Sequence, residues 1–193
     1  LRASAFGDIK IMLPLVTALD EVRKARSLVE ECKKELDERG VSYDPDIEVG
    51  TMIETPAASL IADNLAEVCD FFSIGTNDLI GYTMCADRGN DRVAYLYEVY
   101  QPAVLRSLKR IISEGNKRGI MVGMCGEAAA DPLLIPVLIS FGLGEFSVSA
   151  PSILRTRRII SQWTKEEADV LTEKVLTLKT AAEVKAALQA AAK

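Results

Sequence analysis

The sequence contains no histidine. That removes the commonest general base and the commonest side-chain acceptor for a phosphoryl group. A Ser-His-Asp triad is excluded. Cys32, Cys69, Cys85 and Cys125 form no CxxC pair, which together with the missing histidine argues against structural zinc. No window approaches the roughly 18 unbroken apolar residues of a transmembrane helix, so membrane insertion is not expected. No basic block is present and the net charge is −5, so nucleic acid is not an expected partner. There is no Walker loop and no GxGxxG. Leu1-Arg-Ala-Ser4 carries neither an initiator Met nor a signal-peptide pattern. The start reads as a cut inside a longer chain. Free, scattered thiols suit the reducing cytoplasm.

What is present is an alternation. Apolar runs at 9–16, 49–54, 71–74, 120–125 and 145–149 read as strands, separated by segments with helical spacing. Leu19, Val22, Ala25, Leu28, Val29, Cys32 and Leu36 make one apolar stripe, opened by a capping-box pattern at Thr17–Asp20 and stopped by Gly40. Thr55-Pro56 starts a helix to about Val68. Pro102 opens another to Lys117, with Gly119 after it. Further helices are expected from Asp131 to Phe141, from Pro151 to Trp163, and after the capping boxes at Thr164 and Thr180. Leu79–Tyr100 reads as a long mixed connection, of the length that often carries function. Strands alternating with helices imply a parallel sheet with right-handed crossovers. A complete (β/α)8 barrel needs about 250 residues. Five strands therefore read as an incomplete barrel, or as a free-standing open sheet.

Four strands end in a reactive or polar residue: Glu54, Asn77-Asp78, Cys125 and Ser149. Parallel neighbours would bring these to one rim, where α/β proteins place their chemistry. Glu54 and Asp78 are hard oxygen donors suited to Mg2+ or Mn2+; each could equally cap a helix or pair with an arginine. Arg88 could clamp a phosphate with its planar fork, although an exposed ion pair with Asp87 is the commoner use of such spacing. Cys125, at a strand end before Gly126, is placed for reactivity more than the other three thiols, yet cysteines are more often buried and inert.

Several blocks resemble a known family. Met52-Ile-Glu54-Thr-Pro56, Phe71 to Leu79, Asp87-Arg-Gly-Asn90, Met124-Cys-Gly-Glu127, Glu145 to Ser149 and Leu1 to Gly7 stand in this order. They resemble the C-terminal, phosphoenolpyruvate-binding domain of enzyme I of the bacterial sugar phosphotransferase system. Pyruvate phosphate dikinase and phosphoenolpyruvate synthase share the Glu, Asn-Asp and Cys-Gly-Glu elements. Asp87-Arg-Gly-Asn90 with Tyr95-Leu-Tyr97 favours enzyme I.

The resemblance implies an α/β fold in which residues 1–193 supply the fourth to eighth strands of a TIM barrel. It implies Mg2+ held by Glu54 and Asp78, and phosphoenolpyruvate contacted by Asn77 and Arg88. Cys125 would be the acid that protonates the enolate. The implied partners are phosphoenolpyruvate, a phosphocarrier protein met through a separate histidine-bearing domain, and a second copy in a homodimer, with Tyr95, Leu96, Tyr97, Val170 and Leu171 as candidate contacts. Gln101, Glu98-Val99, Gly81 and Ala130 depart from the family's usual residues. They put local loop geometry in question rather than the ligands. In the family, further phosphate-binding arginines lie on the first three strands, and those strands are not in this sequence. The alternatives are a dikinase or synthase fragment, and a non-catalytic binding or oligomerisation module.

Overall fold

A computed structural model describes all 193 residues. The strands are β1 (Ile11–Leu13), β2 (Val49–Ile53), β3 (Phe71–Ile74), β4 (Met121–Met124) and β5 (Glu145–Phe146). They form one sheet in sequential order, every neighbouring pair parallel. An unreversed order is the singly wound pattern of a (β/α) barrel; a doubly wound sheet reverses at a switch point. The fold is thus α/β, an arc of five parallel strands.

Side chains alternate across this arc, as the pleat requires. Ile53, Phe72, Ile74, Val122 and Met124 point to the helical layer and are buried, whereas Met12 and Met121 on the other face are exposed. Helices therefore cover one face only, as expected. The helices are α1 (Leu19–Glu38), α2 (Pro56–Leu60), α3 (Ala62–Ala66), α4 (Thr76–Met84), α5 (Pro102–Arg118), α6 (Ile135–Phe141), α7 (Ile153–Ser161), α8 (Lys165–Leu176) and α9 (Ala181–Ala191). The core is built around α5, whose Leu105, Leu108, Ile111 and Ile112 recur at helical spacing and are buried in one cluster with Phe72 and Ile74. No helix is long and apolar enough to cross a membrane.

Several boundaries differ from expectation, each with a local cause. The cap of α1 lies one residue later than Thr17–Asp20 suggests, because Glu21 accepts from the amides of Thr17 (2.7 Å) and Ala18 (2.9 Å). The helix expected from Thr55 to Val68 breaks at Ile61. Arg110 of α5 donates to the carbonyls of Ser59 (3.0 Å) and Leu60 (2.7 Å), and takes over acceptors there. Asp131 does not begin α6. Its carboxylate accepts from the amides of Leu133 and Leu134 and holds a separate turn ahead of the helix. A 3-10 turn over Ala150–Ser152 precedes α7. The capping boxes at Thr164 and Thr180 are both present. The largest correction is at 79–100, where the presumed long connection begins as helix: α4 runs to Met84 and turns at Cys85, φ 50°.

Candidate active site

Glu54 leaves the end of β2 and is buried, 4% exposed. Its Oε1 accepts from the Leu15 amide at 2.8 Å. Leu15 follows β1 with φ 51°, a left-handed backbone that a leucine adopts at a cost of about 1–2 kcal/mol. That strain aims an N–H at a carboxylate. On the other side Glu54 lies against Gly75, the residue after β3. A Cβ at Gly75 would come within 2.4 Å of Glu54 Oε2 and 2.8 Å of Met52 Sδ. The glycine is a cradle for the carboxylate.

Asp78 is not a strand-end residue, as the sequence suggested. It lies in the first turn of α4, where the helix dipole favours negative charge, and it is exposed. The two carboxylates nevertheless meet. Burial, and then the nearby Asp78 carboxylate, hold the Glu54 carboxyl above the ordinary range, while the Leu15 amide pulls it partly back. Glu54 is thus buried while Asp78 is open to solvent. No third acidic, thiol or imidazole group joins them in a cluster. Mg2+ is commonly held by one or two carboxylates, with substrate oxygens and waters completing an octahedron, so this donor set fits it.

Asn77 and Asp78 also wall a cleft of about 420 Å³ with Gly81, Cys85, Arg88 and Tyr97. The ion pair between Arg88 and Asp87 does not form. Asp87 accepts from the Gly89 amide at 2.8 Å, and Arg88 takes part in none of the molecule's salt bridges. Arg88 lies beside Tyr97: burial pushes the Tyr97 phenol up, and the guanidinium pulls it partly back. Tyr97 donates to the Asn77 carbonyl at 2.8 Å, so it ties the Arg88 loop to the start of α4. Tyr97, one of the candidate dimer contacts, is half-buried here with its hydroxyl turned to α4. Gly81 lies beside its ring, where a Cβ would sit in ordinary contact at 3.6 Å.

Cys125 follows β4 and is exposed. Its amide (3.1 Å) and its Sγ (3.7 Å) both donate to the carbonyl of Ile74. Cys125 is thereby fastened to the residue beside Gly75, on which Glu54 rests. Cys85 is exposed as well and lines the cleft. Cys69 is buried, and burial pushes its thiol up to about 12. Cys32 is only partly buried, although its place on the α1 stripe predicts core; it borders an apolar groove between α1 and β1. Ser149 is exposed at the far end of the rim, with its hydroxyl 3.0 Å from that of Ser152.

The structure brings Glu54 to Asp78, Asn77 to Arg88, and Cys125 against the end of β3 that carries Gly75. Sequence reasoning missed Leu15, whose role is a backbone amide and leaves no side-chain signal. Tyr97 was visible in the sequence, but its direction was not.

Comparison with known proteins is consistent with this geometry. Residues 1–165 match the family model for the PEP-utilising enzyme, PEP-binding domain. The chain is 53% identical over 184 residues to the phosphoenolpyruvate-protein phosphotransferase of Geobacillus stearothermophilus, and 50% identical to that of Bacillus subtilis (strain 168). Each alignment covers 95% of this chain and 32% of the relative, so the chain spans about a third of those proteins' length. Among solved structures, a citrate lyase from Burkholderia xenovorans LB400 superposes with TM-score 0.58 at 17% identity, covering 98% of this chain and 65% of that one. At that identity the likeness concerns the fold alone. The five-stranded parallel arc, the residues at its rim and the family match over 165 of 193 residues make this chain a member of the PEP-binding domain family of PEP-utilising enzymes.

Proposed function

We propose that this chain is the phosphoenolpyruvate-binding part of a phosphoenolpyruvate–protein phosphotransferase. The observation that carries the proposal is the Glu54–Asp78 pair. A buried carboxylate held against a second one is unfavourable alone, and is relieved by a shared hard cation. Glu54 and Asp78 would hold Mg2+, which when bound supplies positive charge for the phosphate and for the developing enolate oxygen.

The chain's own residues do the rest. Arg88, free of any carboxylate partner, offers its fork to phosphate oxygens, and the Asn77 amide donates beside it. In phosphoryl transfer such positioning and charge neutralisation dominate catalysis. The phosphate would pass to a histidine outside this sequence and then to a carrier protein. Breaking the ester bond leaves an electron pair on the enolate. The Cys125 thiol, placed by its contact with the Ile74 carbonyl, delivers a proton to the carbon, and pyruvate leaves. The thiolate recovers its proton from solvent, to which Cys125 is open.

The decisive test is a chimaera that joins this chain to the remainder of the Geobacillus stearothermophilus relative. It should form pyruvate from phosphoenolpyruvate in a Mg2+-dependent reaction, and Arg88→Lys should raise KM. A folded chimaera that binds neither Mg2+ nor phosphoenolpyruvate would overturn the proposal. The 193-residue chain alone has no histidine and should not become phosphorylated. The proposal extends to a cytoplasmic homodimer. Exposed Tyr95 and Val170 support the dimer, and free thiols support the compartment. Sedimentation of the chimaera as a monomer at micromolar concentration would remove the dimer.

A further inference from the structure

A second cavity lies among α6, α7 and α9. It has a volume of about 270 Å³, below the roughly 300–1,000 Å³ of sites for drug-sized ligands, and so suits a metabolite. It shares no wall residue with the Arg88 cleft. Pro132, Pro136, Ile159 and Leu188 make its apolar side. Every charged side chain in its wall is cationic: Arg155, Arg158 and Lys193. In a chain of net charge −5, three cations without an acid in one wall go against the general balance.

The three cations are not equivalent. Lys193 is already satisfied: its ammonium lies 4.4 Å from the centre of the Trp163 ring, donates to the Gln162 carbonyl at 2.8 Å and pairs with Glu167. Arg155 and Arg158 take part in no salt bridge and donate no recorded hydrogen bond. They stand three residues apart on α7, and so on one side of that helix. A guanidinium stays charged at any physiological pH, and its planar fork matches a pair of phosphate oxygens. Two such forks at the mouth of a small apolar cavity select a ligand with a doubly charged head and a short carbon body.

We propose that this cavity binds a small organic phosphate, its phosphate held by Arg155 and Arg158 and its carbon chain against Ile159 and Leu188. The site is separate from the phosphoenolpyruvate reading and stands or falls without it.

Trp163 is the only tryptophan in the chain and lies in the cavity wall, so its fluorescence reports on this site. Glycerol 3-phosphate titrated into the 193-residue chain should change the emission saturably, and glycerol should not. The double variant Arg155→Ala/Arg158→Ala should weaken the response at least about tenfold. Both arginines are exposed, so the fold should persist, and circular dichroism checks that. Arg157, exposed on the same helix but outside the wall, is the control. Arg157→Ala should stay within about twofold of the parent, as expected of a screened surface charge. A response that never saturates, or equal loss with Arg157→Ala, would refute the proposal.

Discussion

The two halves of the candidate active site are built on different terms. On one side Glu54 and Cys125 are fastened to the sheet. Glu54 takes an amide from a strained Leu15 and fills the space left by Gly75, while Cys125 makes two contacts to one β3 carbonyl. On the other side Arg88 rides on a loop, exposed, with one tyrosine tying that loop to α4. The groups expected to hold a metal and deliver a proton sit on rigid elements. The group expected to grip a phosphate is carried by an exposed loop with that single tie. Chemistry that depends on tenths of an ångström needs the first arrangement; capture and release of a charged substrate tolerates the second.

That contrast can be broken most severely at Cys125. In the chimaera, Cys125→Ala should lower pyruvate formation by about 10²–10⁴-fold, the usual contribution of a positioned general acid. Its melting temperature and its Mg2+ titration should stay close to the parent's. A lower melting temperature with turnover per folded molecule preserved would make Cys125 structural.

Next is Gly75→Ala. The added Cβ meets Glu54 Oε2 at 2.4 Å, so either the carboxylate or the strand end must shift. Overpacking of this kind costs about 1–3 kcal/mol. Calorimetry should also show Mg2+ affinity lost. Unchanged Mg2+ binding would mean that the cradle is not needed.

A smaller effect separates charge from shape. The Glu54 carboxyl is raised in the folded chain, so the native state holds its proton more tightly than the unfolded state. Without metal, stability should therefore fall as pH rises from the ordinary glutamate value of 4.5 through the raised folded value. Glu54→Gln keeps an acceptor for the Leu15 amide and removes the titration. In EDTA its melting temperature should pull ahead of the parent's as pH climbs through that window, then hold a constant lead. With Mg2+ at pH 8 the order should reverse. Parallel melting curves at all pH values would mean that Glu54 is not the strained group.

The mildest change tests the loop side. Tyr97→Phe removes the hydrogen bond to Asn77, worth about 1 kcal/mol. Phosphoenolpyruvate should bind up to about fivefold more weakly, with Mg2+ affinity unaffected. If Mg2+ affinity falls equally, the two halves are one unit and the contrast is wrong.

Much of this molecule was legible without coordinates. Strand number, parallel order and the one-sided helical layer follow from alternating periodicities, because a right-handed βα unit has few ways to pack. Glu54 and Cys125 were singled out because parallel strands deliver consecutive exits to one rim, and both do follow strand ends; the roles given to Asn77, Asp78 and Arg88 came from short motifs. Local capping chemistry placed α8 and α9, because a capping box is satisfied within four residues.

What tertiary structure decided lies in contacts between residues far apart in the chain. Arg110 interrupts the α2–α3 helix from about 50 residues away by taking its carbonyls. Leu15 reaches Glu54 through a backbone amide, a group that every residue type except proline possesses and that no sequence pattern marks. Tyr97 is tied to α4 by donating to the Asn77 carbonyl, twenty positions earlier in the chain. Glu54 is buried while Asp78 is exposed, although both read as equivalent strand-end carboxylates. A side chain's chemical type belongs to the sequence; its solvation and partners are set only when distant segments close around it.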